Sequence, residues 1–236
     1  MKKLFALTLA LVLCLSLTAC SGSLSLGRPT APASEAPAQS TAPTEPKTEA
    51  PTESAKPEGI HGIIEGNTYT NDALNFKFTL PEGWIYYTDE QMAAQNNLSV
   101  EMFKDTDTAE AIKTAGQLMD MMATKSDGSN VNLVIQPAQV QMSTFTDKQL
   151  FELLKENYKA QFASSGLEIK EYGTVDLPAL GKDRSALRMV IEMSGVEMIE
   201  HQIWLRDGTD CYGVLTITSL DGSGIEELIS GISTAH

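Results

Sequence analysis

The sequence predicts an α+β domain in which a largely antiparallel β-sheet packs between α-helices. Four strand-like segments follow one another near the C-terminus: 167–175, 184–193, 197–206 and 210–218. The connections between them are too short for a parallel crossover, which needs a dozen or more residues, so neighbouring strands are expected to run antiparallel. Two amphipathic segments, 146–163 and 223–232, supply helices that cover the sheet.

The N-terminal part of this domain is predicted to contain short strands joined by turns. Phe76 and Phe78 alternate with polar residues, and this period of two is typical of a half-buried strand over 74–80. Pro81-Glu82-Gly83 ends that strand. The tract from Ser126 to Ser129 indicates a hairpin turn. The remaining strands expected here are 67–71, 84–87, 117–124 and 130–136.

Helix boundaries are marked by capping residues. The capping-box pattern Thr-x-x-Gln occurs at Thr88–Gln91, where it starts a short helix, and at Thr146–Gln149, where it starts the helix 146–163. Gly166 ends that long helix. A second short helix is expected over 108–114. The apolar stripe of the long helix consists of Leu150, Phe151, Leu154, Tyr158 and Phe162, and that of the last helix of Ile225, Leu228, Ile229 and Ile232.

The stretch from Tyr69 to Trp84, YTNDALNFKFTLPEGW, is similar to the opening of PsbP/Mog1-like domains. The resemblance implies an antiparallel sheet between helices, with Trp84 entering the core after the Pro-Glu-Gly turn. The order of elements over 59–236 follows the same plan. This family has no single shared chemistry, so the resemblance implies no catalytic residue.

The N-terminus has the layout of a secretory leader. Lys2 and Lys3 precede an apolar run over 4–17, which is short for a membrane-spanning helix. The run ends in Leu17-Thr18-Ala19-Cys20, which resembles a bacterial lipobox. By that resemblance, residues 1–19 are a signal peptide and Cys20 carries a lipid that anchors the protein on the outer side of the cell membrane. An ordinary cleaved signal peptide and a retained signal anchor are the competing interpretations.

A spacer separates Cys20 from the domain. It spans 20–58 and holds seven of the ten prolines, no aromatic residue and few large apolar residues. Such a composition cannot bury enough apolar surface to fold, and proline keeps it extended. Residues 59–236 have the size and apolar content of a single domain. This layout resembles that of lipoproteins of Gram-positive bacteria.

The chain is strongly acidic, with 17 basic and 31 acidic residues and a net charge of −14. A chain with this charge is repelled by nucleic acid, so nucleic-acid binding is not expected. After cleavage, Cys20 and Cys211 are the remaining cysteines. Cys211 sits in a strand-like run next to Asp210, which has the wrong charge to activate a thiolate, so a packing role is favoured over a nucleophile.

No signature motif of a hydrolase, zinc protease or nucleotide-binding enzyme occurs. Among the histidines, His61 and His236 lie at the edges of the domain and are poor candidates. His201 follows Glu200 in a strand, so the two point to opposite faces, and the histidine is expected on a half-exposed surface. We therefore expect no catalytic, cofactor-binding or metal-binding residues, and Cys20 is the one functional residue predicted.

Two further clusters have structural interpretations that outweigh functional ones. Asp105, Asp107 and Glu110 fail the calcium-loop pattern, because Ala109 stands at a ligand position, and capping or solvated residues are expected. The methionines at 119, 121 and 122 are expected in the core, with Met119 and Met121 on one face of a strand.

These observations favour a lipid-anchored module that binds an envelope protein or glycan without catalysis. The alternative is an envelope enzyme or small-ligand receptor with a cleft at the edge of the sheet, which predicts a concave pocket with converging polar groups.

Overall fold

The fold is built on two antiparallel β-sheets with helices packed against them. The computed structural model of the chain describes residues 60–104, 112, 116–138, 144–206 and 211–236. The strands are β1 Ile63–Glu65, β2 Thr68–Asn71, β3 Phe76–Thr79, β4 Trp84–Tyr86, β5 Leu118–Lys125, β6 Asn130–Pro137, β7 Glu168–Ala179, β8 Lys182–Met193, β9 Val196–Leu205, β10 Cys211–Ser219 and β11 Ile232–Ser233. The helices are α1 Asp89–Gln95, α2 Val100–Lys104, α3 Asp147–Ser164 and α4 Ile225–Ser230.

The large sheet has the strand order β4-β5-β6-β10-β9-β8-β7, and the small sheet has the order β1-β2-β3-β11. Every neighbouring pair is antiparallel. The α+β class and the antiparallel pairing are therefore confirmed. The second sheet was not predicted, because β1 and β11 have only three and two residues, too few to show a period.

Apolar residues lie on both faces of the large sheet. On one face, Leu133, Ile203 and Leu215 pack with Tyr69 and Phe78 of the small sheet. On the other face, the side chains of α3 cover a second apolar cluster. The second cluster consists of Leu150, Phe151, Tyr158, Leu167, Leu187, Met189, Ile191, Met198, Trp204, Tyr212 and Val214. The sheet is thus a central layer, as expected for a sheet that is apolar on both sides.

The predicted start signals are confirmed at both capping boxes. Thr88 and Thr146 each accept a hydrogen bond from the backbone N–H of the glutamine three residues on, and that glutamine side chain accepts from the threonine N–H. The structure adds α2 at Val100–Lys104, which the sequence did not predict. The helix expected over 108–114 lies outside the described residues except at Ile112.

A β-bulge at Asp120 changes the alternation of β5. Met119 pairs with Val134 and Met121 with Leu133, so Asp120 is an extra residue without a partner in the β6 register. A bulge of this kind shifts the following side chains to the opposite face. The expectation that Met119 and Met121 share a face is therefore wrong, although all three methionines are buried as predicted. Trp84 is half-buried and packs against the core.

Candidate functional site

The bulged residue Asp120 is the centre of a buried polar cluster. Its side chain has no solvent exposure. Oδ2 accepts hydrogen bonds from the backbone N–H of Gly62 at 2.8 Å, from Asn71 Nδ2 at 3.2 Å and from the Tyr69 hydroxyl. Oδ1 accepts from His61 Nδ1. Four donors on one carboxylate compensate the cost of burying it.

The donors come from the chain segment that enters the small sheet. His61 and Gly62 immediately precede β1, and Tyr69 and Asn71 are alternate residues of β2, so their side chains share a face. Asn71 also donates to the backbone oxygen of Ile60 at 2.8 Å. The cluster therefore ties residues 60–62 and the small sheet to a strand of the large sheet.

Gly62 is required by the close approach of Tyr69. A Cβ atom at position 62 would lie 2.3 Å from Cζ of the Tyr69 ring. Because real Cβ contacts are never this short, any side chain here would displace the phenol from Asp120. The ring of His61 also packs edge-on against Phe103 of α2, with a centroid distance of 4.6 Å and an interplanar angle of 78°. These contacts fix the imidazole between β5 and α2.

The cluster opens into a cavity of about 260 Å³. Its lining consists of His61, Gly62, Ile63, Ile64, Asp89, Met92, Phe103, Lys104 and Asp120. Lys104 forms an ion pair with Asp89 at 2.7 Å, and both side chains are about half exposed. The cavity thus has a buried polar end at Asp120, apolar walls and a charged pair near solvent, which is the arrangement expected of a small-molecule site.

The electrostatics favour a protonated imidazole. Burial alone lowers the pKa of His61, but the hydrogen bond and charge of Asp120, with a smaller contribution from Asp89, outweigh burial and raise this pKa above 6.5. Burial and the Asp120 charge raise the pKa of Tyr69 far above its ordinary value, so its hydroxyl remains a donor. His61 and Tyr69 therefore bind their protons more tightly than the isolated side chains would.

The geometry of His61 defines what the cavity can do chemically. Its Nδ1 is held by Asp120, which leaves Nε2 for a ligand, as an acceptor when neutral and a donor when protonated. The side chains that line the cavity carry no hydroxyl and no thiol. Among the described residues, no third metal-ligating side chain lies where it could bind a metal ion together with His61 and an aspartate. The arrangement suits binding and polarising a small polar group.

The two histidines expected at the domain edges have different surroundings. His61 precedes β1 at the N-terminal edge of the domain and belongs to the Asp120 cluster described above. His236 is 70% exposed, with Nε2 3.5 Å from Asp72 Oδ1. It takes no part in the cavity.

His201 does point away from Glu200, as predicted, but its expected half-exposure is wrong. It is 7% exposed and lies between Arg188 and Ile217 on the neighbouring strands. Burial, with the Arg188 charge, lowers the pKa of His201 to about 4. Glu192, which lies near it in sequence, binds Lys170 at 3.1 Å instead.

The remaining sequence candidates are packing residues or lie outside the described residues. Cys211 is 5% exposed in the apolar core, which fits the packing role favoured for it. The acidic residues 105, 107 and 110 lie outside the described residues, and so does Cys20.

Sequence reasoning missed His61, Asp120, Tyr69 and Asn71 because their partners are far apart in the chain. His61 and Asp120 are separated by 59 residues, and a single sequence contains no information on such a pairing. One signal was present: Asp120 interrupts the apolar run Leu118–Ala123. A carboxylate in the middle of a buried strand needs compensating partners.

Comparison with known proteins gives structural neighbours. No protein-family profile and no curated protein matches the sequence. The solution structure of cyanobacterial PsbP (CyanoP) from Synechocystis sp. PCC 6803 is 12% identical, with a TM-score of 0.43 over 78% of this chain and 99% of that one. A crystal structure from Bacteroides thetaiotaomicron VPI-5482 is 14% identical, with a TM-score of 0.38 over 73% of this chain and 50% of that one.

Among the described residues, no helix has the length and apolar character needed to cross a membrane. The structural neighbours include a PsbP protein, and both likenesses concern the fold alone.

Proposed function

We propose that this chain is a lipoprotein held on the outer side of the cell membrane by a lipid on Cys20, and that its α+β domain is a non-catalytic binding module. The lipobox Leu17-Thr18-Ala19-Cys20 after a short apolar run carries the first half of the proposal. Two or more acyl chains anchor a protein stably, whereas one does not.

The spacer 20–58 supports presentation of the domain at a distance from the membrane. A proline-rich chain of this length reaches on the order of 100 Å when it is fully extended. With a net charge of −14, the chain is not drawn to anionic headgroups. Its partners are therefore sought among envelope proteins and glycans.

The proposal of anchoring is tested by labelling cells that express the chain with an alkyne fatty acid. We expect label on the wild-type protein, its recovery in the membrane fraction, and loss of both in Cys20→Ser. Cys211→Ser is the matched control and should retain the label. Label that persists in Cys20→Ser, or a wild-type protein found in the soluble fraction, would contradict the proposal.

The His61 cavity favours a second candidate, a small-ligand receptor of the envelope. Its support is the cavity of about 260 Å³ in which His61 is oriented by Asp120. This candidate predicts that a small carboxylic acid raises the melting temperature of the wild-type chain below about pH 6, where the imidazole is protonated, and has no such effect on His61→Gln. An equal shift in both proteins would exclude the cavity as the binding site.

A further inference from the structure

The His61 cavity presents accessible charged groups of both signs. The Lys104 ammonium and the Asp89 carboxylate line it and form an ion pair, and their side chains are 58% and 42% exposed. His61 lines the same cavity with 20% of its side chain exposed, and its Nδ1 is bound to Asp120, which leaves Nε2 for a ligand. A ligand in the cavity can therefore reach a protonated imidazole, an ammonium group and a carboxylate.

The carboxylate of Asp120 is not one of these accessible groups. Its side chain is fully buried. Four donors, one of them the His61 imidazole, already bind its two oxygens. At the buried end of the cavity, a ligand thus meets the N–H of the protonated imidazole, which is a strong donor to an anion.

The ion pair between Lys104 and Asp89 can give way to a ligand. An ion pair between exposed side chains adds little stability, so a ligand that binds both charges replaces the pair at little cost. The Asp89 charge also contributes to the raised pKa of His61, which shows that the carboxylate and the imidazole interact. A purely anionic ligand is therefore attracted by His61 and Lys104 but repelled by Asp89, and a purely cationic ligand meets the reverse.

The size and the walls of the cavity limit what the rest of the ligand can be. Its volume of about 260 Å³ lies just below the range of about 300–1,000 Å³ that is usual for drug-sized ligands. The ligand is therefore small, of the size of a single amino acid. Ile63, Met92 and Phe103 supply apolar wall, which suits an apolar side chain.

We infer that the His61 cavity binds a free α-amino acid with an apolar side chain. The carboxylate of the amino acid accepts hydrogen bonds from His61 Nε2 and Lys104 Nζ, and its ammonium donates to Asp89. Its side chain lies against Met92 and Phe103. An α-amino acid carries its two charges on one carbon, which matches the separation of only 2.7 Å between Lys104 Nζ and Asp89 Oδ2.

This inference rests on the second candidate function, the small-ligand receptor, and names its ligand class. The acid that lacks only the ammonium of the amino acid separates the two. If this deaminated acid binds as tightly as the amino acid, the receptor stands and the inference fails. If neither binds, both fail. The lipid on Cys20 is tested by labelling and is independent of these results.

The test is calorimetric titration of the full-length chain in a non-ionic detergent at about pH 5.5, where His61 is protonated. The ligands are leucine, methionine and phenylalanine, each compared with its amide and with its deaminated acid. A further comparison is 6-aminohexanoate, an isomer of leucine whose charges lie at opposite ends. We expect at least one amino acid to bind at millimolar concentration, and its analogues to bind about tenfold more weakly, as for one lost hydrogen bond to a charged group.

Two variants assign the charges of the ligand to their partners. Asp89→Asn should weaken the amino acid about tenfold and leave the deaminated acid at least as tightly bound, because it removes the partner of the ammonium alone. Lys104→Gln should weaken the amino acid and the deaminated acid alike. Asp183→Asn and Lys159→Gln are the matched controls, since both residues are exposed and neither lines the cavity. Both controls should bind as the wild type does.

The different responses of the two ligands to Asp89→Asn cannot arise from a general loss of folded protein. If Asp89→Asn does not fold, Lys104→Gln decides, because it should weaken the amino acid and spare its amide. The inference is overturned if no amino acid binds at millimolar concentration, or if the deaminated acid or 6-aminohexanoate binds as tightly as the amino acid. It is also overturned if the variant that folds weakens the amino acid and its analogues equally.

Discussion

His61 Nδ1 donates a hydrogen bond to the buried carboxylate of Asp120, which joins the entrance of the chain into its domain to the bulged strand of the large sheet. The imidazole is 20% exposed and Asp120 is fully buried. A buried ion pair stabilises the fold only when its geometry is good and its remaining atoms are hydrogen-bonded. Here Gly62, Tyr69 and Asn71 donate those additional hydrogen bonds to Asp120.

Asp120→Asn should destabilise the protein by about 3 kcal/mol, because it removes the charge that four donors compensate and leaves His61 without its partner. The measurement is urea unfolding followed by tryptophan fluorescence. Asp183→Asn is the matched control, since Asp183 is exposed, and it should lie within about 0.5 kcal/mol of the wild type. If the free energy of unfolding of Asp120→Asn fell as little as that of Asp183→Asn, the hydrogen bonds to the Asp120 carboxylate would not stabilise the fold.

The contribution of His61 to stability should depend on pH. Because the pKa of His61 is raised in the folded protein, this contribution is fully present below the unfolded pKa of about 6.5 and is lost as the pH rises through the folded pKa. The difference in unfolding free energy between wild type and His61→Gln should therefore shrink as the pH rises above about 6.5. A difference that stays constant over this range would argue against the ion pair with Asp120.

Glu200 should destabilise the folded state as the pH rises. Its pKa is raised to about 7 by burial, against about 4.3 in an unfolded chain. Its favourable contribution is thus complete below about pH 4 and declines up to neutral pH. Glu200→Gln mimics the protonated acid, so it should match the wild type at about pH 4 and be more stable at about pH 8. Parallel stability curves for the two proteins would contradict the raised pKa.

Gly62→Ala should lower the free energy of unfolding by about 2 kcal/mol or more, because the new methyl group meets the Tyr69 ring and forces it away from Asp120. Gly173 provides a matched control. It lies in β7, where an added methyl group would have no neighbouring atom within 4 Å, and Gly173→Ala should be neutral or slightly stabilising. Thermal unfolding of both variants distinguishes a steric effect at position 62 from a general effect of replacing glycine.

The parts of the fold that local patterns determine were predictable from the sequence. The capping boxes at Thr88 and Thr146 set the helix starts, and the apolar stripe of α3 includes the buried residues Leu150, Phe151 and Tyr158. The antiparallel meander from β7 to β10 follows from its short turns. Among these four strands, β7 departs most from its predicted bounds, since it continues to Ala179 and the predicted strand ends at 175.

The candidate sites depend on contacts that local patterns do not contain. Asp120 meets His61 because of a bulge, and a bulge changes the face of every residue after it without leaving a mark in composition.

The hydrogen bonds at residues 60–62 also have a mechanical consequence. Ile60 accepts from Asn71, while His61 and Gly62 donate to Asp120, and all three residues precede the first paired residue of β1. A pull on the chain from its N-terminal side therefore loads these bonds before it reaches the ladder between β1 and β2. The strength of that attachment is set by a titrating histidine, so the force that the domain withstands at its N-terminal end should be greater in acid than in alkaline surroundings.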